Sequence, residues 1–349
     1  MMAAAVTEAK AASAEMRADD DAGDHAGDVT VQTIAGGGGQ LEVCWGGTSL
    51  RLSLAHYGKL LHMWQRRRRA HAVGTLQEQP QEEQRQFTAD LFCLLLRYRT
   101  IRCSQFHAAL PGPVFDWLRD SCGVQLEGMA SPLNARFGSF CSAFVDTDAP
   151  FGSLGSFFGF RPNEGSFEIN PPFVEAMYVA VAEHCAGLLA VADEWGQALS
   201  FTIVVGATKA TQQGRAWELL HSSRYSQGTM VVDAKEHQYC DGAQHTKTDS
   251  TATPPLVSVC ATGVFFWASK AAAARWPIHT KQMDALRAAF KSASQPTGPT
   301  RVAASGFSGQ QQQQQGHKQG GYKNKRKADR LRQRKDRQRQ KARRKNKQS

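Results

Sequence analysis

The run Ser166-Phe167-Glu168-Ile169-Asn170-Pro171-Pro172-Phe173 lies near the middle of the chain. A short stretch of strand character ends in an amide, two prolines and an aromatic ring. Proline restricts the backbone and donates no N–H, so carbonyls at this turn are left free to face a ligand. Such a set fits chemistry on a conjugated amine, for which the exocyclic amino group of adenine is the model. That nitrogen is a poor nucleophile until acceptors hold its two hydrogens and let it move toward sp³ geometry. Asn170 Oδ1 and the Pro171 carbonyl are the expected acceptors. Phe173 is expected to stack on the base and fix its plane, and Pro172 completes the catalytic turn. What remains is in-line placement against a methyl sulfonium, a matter of proximity with the methyl chemistry supplied by S-adenosylmethionine. The scheme demands no metal and no general-base histidine. Two prolines after a strand are also ordinary turn residues, so the surrounding elements must decide between the two.

The pattern places residues 166–169 in a strand and residues 174–191 in a strong helix directly after the turn. The apolar run 199–205 suits a strand buried on both faces of a parallel sheet. Further strands are predicted at 124–129, 229–232 and 256–268, and a closing helix at 277–291. Strands alternating with helices imply an α/β layered sheet with ligands at the carboxyl ends of its strands. Upstream, residues 41–122 read as a helical region. Its first helix carries Leu50, Leu52, Leu54, Tyr57, Leu60, Leu61 and Trp64. A second spans 83–98, and a third spans 113–121 with Gly123 at its end. The expected domains are a disordered leader over 1–40, the helical region 41–122, the catalytic core 123–292 and a disordered Gln-rich and basic tail over 293–349.

Charge is placed unevenly. The chain of 349 residues carries a net +11, yet from Gly316 onward there are 16 Lys/Arg against 2 Asp/Glu, which leaves 26 against 29 elsewhere. The basic character therefore belongs to the tail, which reads as a nuclear import signal, as a sequence-independent RNA anchor, or as a plainer nucleolar-type extension. The run Arg66 to Arg69 reads as a solvated surface or a phosphate-binding patch. Arg97, Arg99 and Arg102 are expected to line the same groove or to be exposed helical arginines. The eight cysteines stand singly with no CxxC pair, which argues against a zinc ribbon or redox dithiol. No secretory signal is evident, and the apolar stretch 256–268 is too short to span a bilayer.

Beyond the turn itself, several motifs follow in order. They are Glu127-Gly128-Met129-Ala130-Ser131-Pro132-Leu133-Asn134, then 141–148 with Asp146 and Asp148, then Phe151-Gly152-Ser153. After the catalytic turn come Ser223-Arg224-Tyr225 and the segment 237–245. In this succession, over about residues 85–292, the chain resembles the phosphorylated-CTD-interacting-factor family of cap-specific adenosine N6-methyltransferases. The resemblance implies a Rossmann-like S-adenosylmethionine-dependent methyltransferase core acting on RNA, at the cap-adjacent 2′-O-methyladenosine of mRNA, in the nucleus. DNA adenine methylation and a catalytically silent RNA-binding protein of the same fold are the alternatives. It further implies that Ser131, Pro132, Leu133 and Asn134 lie near the cofactor. Asp146 and Asp148 would bond its ribose or amino group, unless they are solvated loop acids, and Phe151 and Gly152 would form an adjoining loop. Arg97, Arg224, Tyr239, Gln244 and His245 are the implied substrate contacts; 237–245 is otherwise a structural loop, and a metal on His237, Cys240 and His245 lacks further ligands. No WW domain is expected, because Trp45 has no partner tryptophan at the right spacing, and direct binding of the polymerase tail is doubted on that ground.

Overall fold

A computed structural model describes residues 28–35, 38–71, 80–101, 107–246, 256–258, 260–292 and 301–303. Most of the expected leader, nearly all of the tail, Arg102 and Cys103 lie outside the described residues.

The N-terminal part departs from two expectations: residues 30–33 and Gln40, expected in the disordered leader, and residues 41–53, expected in the helical region, are in strands or the turn between them. β1 (Thr30–Thr33), β2 (Gln40–Trp45) and β3 (Thr48–Ser53) form an antiparallel sheet. Leu50 and Leu52 are buried as alternate residues of a strand, which is period 2 rather than helical spacing. The hairpin between β2 and β3 turns on Gly46 and Gly47, with φ of 52° and 75°. Two successive left-handed residues are what a tight two-residue turn requires. The helices α1 (Leu54–His71) and α2 (Pro80–Thr100) follow. They pack with this sheet into an apolar cluster that also takes in Leu133, Ala135, Phe140 and Phe151 from further along the chain.

α3 (Gly112–Cys122) stops at Gly123, which is left-handed at φ 68° and returns its N–H to the last turn, as helix C-terminal glycines do. The central sheet then forms from β4 (Leu126–Glu127), β5 (Gly165–Ile169), β6 (Leu199–Ala207), β7 (Ser226–Val232) and a later strand, β10 (Ala261–Ala268). Between β4 and β5 lies the short helix α4 (Val145–Asp148). β8 (Gln238–Tyr239), β9 (Leu256–Ser258) and β11 (Arg301–Ala303) form a small separate sheet. The remaining helices are α5 (Glu175–Glu194), α6 (Lys209–Gln212), α7 (Arg215–His221), α8 (Lys270–Arg275) and α9 (Thr280–Ser292).

The central order is β4-β5-β6-β10-β7. β4, β5 and β6 run parallel, and β10 is antiparallel to both β6 and β7. Isolated parallel bridges join Glu127 to Phe140 and Phe140 to Ser153. From β4 the chain thus steps outward twice before returning to β5 on the other side. That reversal is a topological switch point, and in open α/β sheets ligands bind outside the carboxyl ends of the strands there. Side chains of β6 and β10 alternate between layers. Phe201, Ile203, Val205, Phe265 and Trp267 join the cluster with α5 and α7; Val204, Val264 and Phe266 join α3 and α9. Among the described residues α5 is the one helix long and apolar enough to cross a bilayer. Here it covers the sheet, burying Tyr178, Val181, Cys185 and Leu189.

Candidate active site at the carboxyl ends of β4 and β5

β5 ends at Ile169, so the turn from Asn170 to Phe173 sits at the switch point. Asn170 is half-buried, and its Nδ2 donates to the Ala108 carbonyl at 3.3 Å. An amide held by its nitrogen presents its oxygen on the other side, and Oδ1 has no partner among the described residues. The Pro172 carbonyl accepts the Val174 N–H at 2.7 Å, whereas the Pro171 carbonyl accepts no backbone bond among the described residues. Two consecutive residues of this turn therefore each keep an acceptor unused among the described residues.

The Phe173 ring lies over Gly206 of β6, where a Cβ would come within 2.6 Å of it. Tyr178 and Tyr239 meet it edge-on, with centroids at 6.3 and 6.1 Å. Both tyrosines are themselves tied: the Gly206 N–H donates to Tyr178 Oη at 3.1 Å, and Tyr239 Oη shares a 2.6 Å bond with Thr262. Burial holds both phenols above their ordinary range, Tyr178 beyond any ordinary pH, so they are neutral packing partners of the ring.

The turn after β4 is built tightly. Gly128 lies under Ile169, where a Cβ would come within 2.3 Å of Cδ1. Asn134 Oδ1 accepts from Ser131 N at 2.8 Å and from Ser131 Oγ at 2.9 Å, and Asn134 Nδ2 donates to the His107 carbonyl at 3.1 Å. Pro132 is buried. Leu133 is 1% exposed within the N-terminal cluster, so its side chain is a core contact. Beneath this turn, Glu127 and Glu168 are register partners on β4 and β5. Glu127 accepts the N–H groups of Arg136 and Phe137 at 2.6 and 2.9 Å. Burial outweighs those bonds and pushes its carboxyl up to about 7. Glu168 is raised well above the carboxylate range, first by burial and then by Glu127, and its Oε1 has no hydrogen-bond partner among the described residues. Lys59 of α1 reaches the same place, donating to the Leu133 carbonyl at 3.3 Å; burial lowers it to about 8.

Several expected site residues are used elsewhere. Asp148 is fully buried, accepting from Tyr98 Oη at 2.6 Å and Thr147 Oγ1 at 3.1 Å. Burial raises it to about 6, and it faces the interior rather than a ligand. Arg97 is also fully buried, and its guanidinium grips Asp146 through two bonds of 3.2 and 2.8 Å. It is therefore a tie between α2 and α4, not a phosphate contact, and Asp146 is its counter-ion. Phe151 is fully buried in the N-terminal cluster, where no ligand reaches it. Gly152 is left-handed at φ 107°, with a notional Cβ 3.0 Å from the Gly138 carbonyl, so its close approach is to the chain itself. Arg224 stacks on Tyr225 just before β7. The register of Ser226 with Trp267, and of Ala268 with Ser200, puts it at the sheet end remote from Asn170. His237 turns inward onto Thr262 and the Asp233 carbonyl, away from His245.

Tyr239 does reach the site, through Phe173. Gln244 and His245 lie in the short turn Gln244–Thr246. His245, with His107, Tyr98, Arg51 and Arg99, lines a cavity of about 380 Å³; the His245 ring lies against the Gly242 backbone, and its Nδ1 is buried without a well-formed hydrogen bond among the described residues. The cavity and Asn170 share the segment 107–110: His107 lines the cavity, and the Ala108 carbonyl holds Asn170. Ala109 and Cys240 exchange backbone bonds of 3.2 and 2.8 Å. Sequence reasoning missed Ala108, which acts through a carbonyl and leaves no sequence signal. It also passed over the Glu127 and Glu168 pair, whose signal was an acid at the end of each of two strands.

A family model described as "Phosphorylated CTD interacting factor 1 WW domain" matches residues 59–242, more than half of the chain. The chain belongs to this family. The match takes in β4, β5, the Asn170 turn and Tyr239. It overturns the expectation that the chain lacks the family's WW domain, which rested on the residues around Trp45, and the doubt about polymerase-tail binding falls with it. Two similar proteins are named "mRNA (2'-O-methyladenosine-N(6)-)-methyltransferase". The mouse protein is 33% identical over 218 residues, 61% of this chain and 30% of its own length. The human protein is 33% identical over 211 residues, 59% and 29%. The chain thus spans less than a third of the length of the curated relatives it matches.

Proposed function

We propose that this phosphorylated-CTD-interacting-factor-family chain is an S-adenosylmethionine-dependent RNA adenosine N6-methyltransferase, acting on the cap-adjacent 2′-O-methyladenosine of mRNA. The observation that carries the reading is the orientation of Asn170. Its nitrogen is anchored on Ala108, so its oxygen and the Pro171 carbonyl are the pair of acceptors that an adenine amino group needs. Phe173, seated on Gly206, supplies the stacking face. The relatives' names support the substrate. The order of chain passes, Ser153, Phe140, β4, β5, β6, β10 and β7, supports a Rossmann-like core. Numbered along the chain it runs 3-2-1-4-5-7-6, a doubly wound sheet with its last strand inserted antiparallel.

S-adenosylmethionine would lie at the switch point against the main chain of the turn over β4, which the mutual bonds of Ser131 and Asn134 hold in shape, which Gly128 lets lie close on Ile169, and which has the buried Glu168 carboxyl beneath it. When bound, the cofactor supplies an electrophilic methyl group. The chain's part is to hold the base, to turn both amino hydrogens toward Asn170 Oδ1 and Pro171 O, and to exclude water with Phe173 and Tyr239. Such held acceptors act on the amine as it pyramidalises and cost no reorganisation at that moment. The base must be unpaired to enter, which suits a 5′ end. The cavity beyond residues 107–110 would take the adjoining cap nucleotide, with Arg51 and Arg99 beside its phosphates and the His107 and His245 rings beside its base. The basic tail adds RNA affinity and nuclear import.

Methyl transfer from labelled cofactor to capped RNA, uncapped RNA and DNA oligonucleotides tests the reading. Capped RNA beginning with 2′-O-methyladenosine is expected to be the best acceptor. Asn170→Ala is expected to lower turnover at least about a hundredfold while calorimetric cofactor binding stays within about threefold. Near-wild-type turnover in that variant would sink the mechanism, and preference for DNA would replace the substrate.

A further inference from the structure

We infer that Asn134 is a positioning residue for the catalytic amide, acting through main-chain residues 107–110. The inference rests on the proposed methyl transfer. Three successive residues of that segment are tied to three different elements. The His107 carbonyl accepts from Asn134 Nδ2 at 3.1 Å, on the turn after β4. The Ala108 carbonyl accepts from Asn170 Nδ2 at 3.3 Å, on the turn after β5. Ala109 pairs with Cys240 through both backbone bonds, beyond β8. Ala108 has no side chain that could anchor it, so its carbonyl is held by its two neighbours.

The Asn170 amide has two faces of opposite hydrogen-bonding sense. Among the described residues, the contact with Ala108 is what tells it which way to lie. If the carbonyl drifts, a flipped amide sets N–H donors against the substrate's own N–H groups and the acceptor is lost. Asn134 is placed to prevent that drift. Its oxygen is consumed by two bonds from Ser131, which lock its side chain, and its nitrogen then points at His107. The two asparagines are thus linked through two consecutive carbonyls, and the turn after β4 sets the register of the turn after β5.

Asn134→Asp separates the two jobs of this side chain. The carboxylate keeps both acceptor bonds to Ser131 but loses the donor to His107 and repels its carbonyl. On capped RNA, kcat is expected to fall about tenfold or more, the worth of one well-placed hydrogen bond. The KM for S-adenosylmethionine and its calorimetric affinity stay within about twofold. Ala108→Gly leaves every hydrogen bond of Asn134 in place and only adds backbone freedom at the middle residue; it is expected to show the same split, and it decides the matter should the aspartate variant fail to fold. An unchanged kcat in the folded variant overturns the inference. So does loss of cofactor affinity with kcat preserved at saturation, which would make Asn134 a cofactor contact. A wild-type protein without transfer to any oligonucleotide overturns the functional reading and the inference together.

Discussion

Phe173 can lie flat on the sheet because residue 206 has no side chain. A Cβ there would sit 2.6, 3.0 and 3.2 Å from three atoms of the ring, and the ring cannot slide sideways because Tyr178 and Tyr239 flank it. Gly206→Ala must therefore tilt Phe173 out of its plane. The expected cost is about 1–3 kcal/mol of stability from overpacking, with turnover down about tenfold or more, because a stacked base would follow the ring. Steady-state kinetics on capped RNA and a thermal melt check this; unchanged turnover with lowered stability would remove Phe173 from the base. At this scale the sequence showed the turn itself, since an amide, two prolines and an aromatic residue after a strand are visible as letters. It did not show which polar residues are consumed by the interior. Asp148 and Arg97 look like surface groups until the fold brings Tyr98 and Asp146 against them, 50 and 49 residues away.

Among the elements, α2 and α4 are joined by one asymmetric ion pair. The Arg97 side chain is 1% exposed, while that of Asp146 is 39% exposed. Removing the two partners should therefore have unequal effects. Asp146→Ala leaves a buried guanidinium short of its counter-ion, at a cost of about 3 kcal/mol. Arg97→Met leaves a carboxylate that already reaches water and should cost less. Urea unfolding of the two variants gives the order, and the reverse order would return Arg97 to a surface role. Neither variant should shift the KM for S-adenosylmethionine once folded, contrary to a cofactor role for Asp146. The longer elements were legible because their periodicity is strong: α2, α3, α5, β5 and β6 fall within a few residues of their expected places. The N-terminal hairpin was misread because Leu50, Leu52 and Leu54 run straight into a true helix, although Gly46-Gly47 between two alternating stretches was the available signal. β4 shrank to two paired residues because the chain beyond Glu127 turns at Gly128 to build the site.

At the scale of the molecule, the N-terminal sheet and helices meet the central sheet around three histidines that the sequence scatters. His56 comes from α1, His107 from the segment before α3 and His245 from the turn after β8. The His56 and His245 rings lie 6.4 Å apart. Burial, the largest cause in each case, lowers all three to about 4. Lys59 adds to the effect at His56 and His245, and His245 adds to it at His56 and His107, while the Gly242 backbone and then Asp241 oppose it at His245. A histidine whose folded value is lowered lends stability that is complete above its ordinary 6.5 and is lost as pH falls toward 4, because only the unfolded chain takes up the proton. Glu127 and Asp148, raised to about 7 and about 6, act in the opposite sense over much of that range, so the wild-type curve alone is a mixture. The informative quantity is the difference between wild type and His245→Asn, which carries no titrating group at that position. The two stability curves are expected to run parallel above pH 7 and to converge below 6.5. The wild type should lose about 2–3 kcal/mol more than the variant by pH 4, since each pH step over which only the unfolded chain holds the proton costs about 1.4 kcal/mol. Unfolding free energies from urea titrations at half-unit pH intervals measure this. Curves that stay parallel down to pH 4 would mean that His245 takes up a proton as readily in the folded protein as in the unfolded chain.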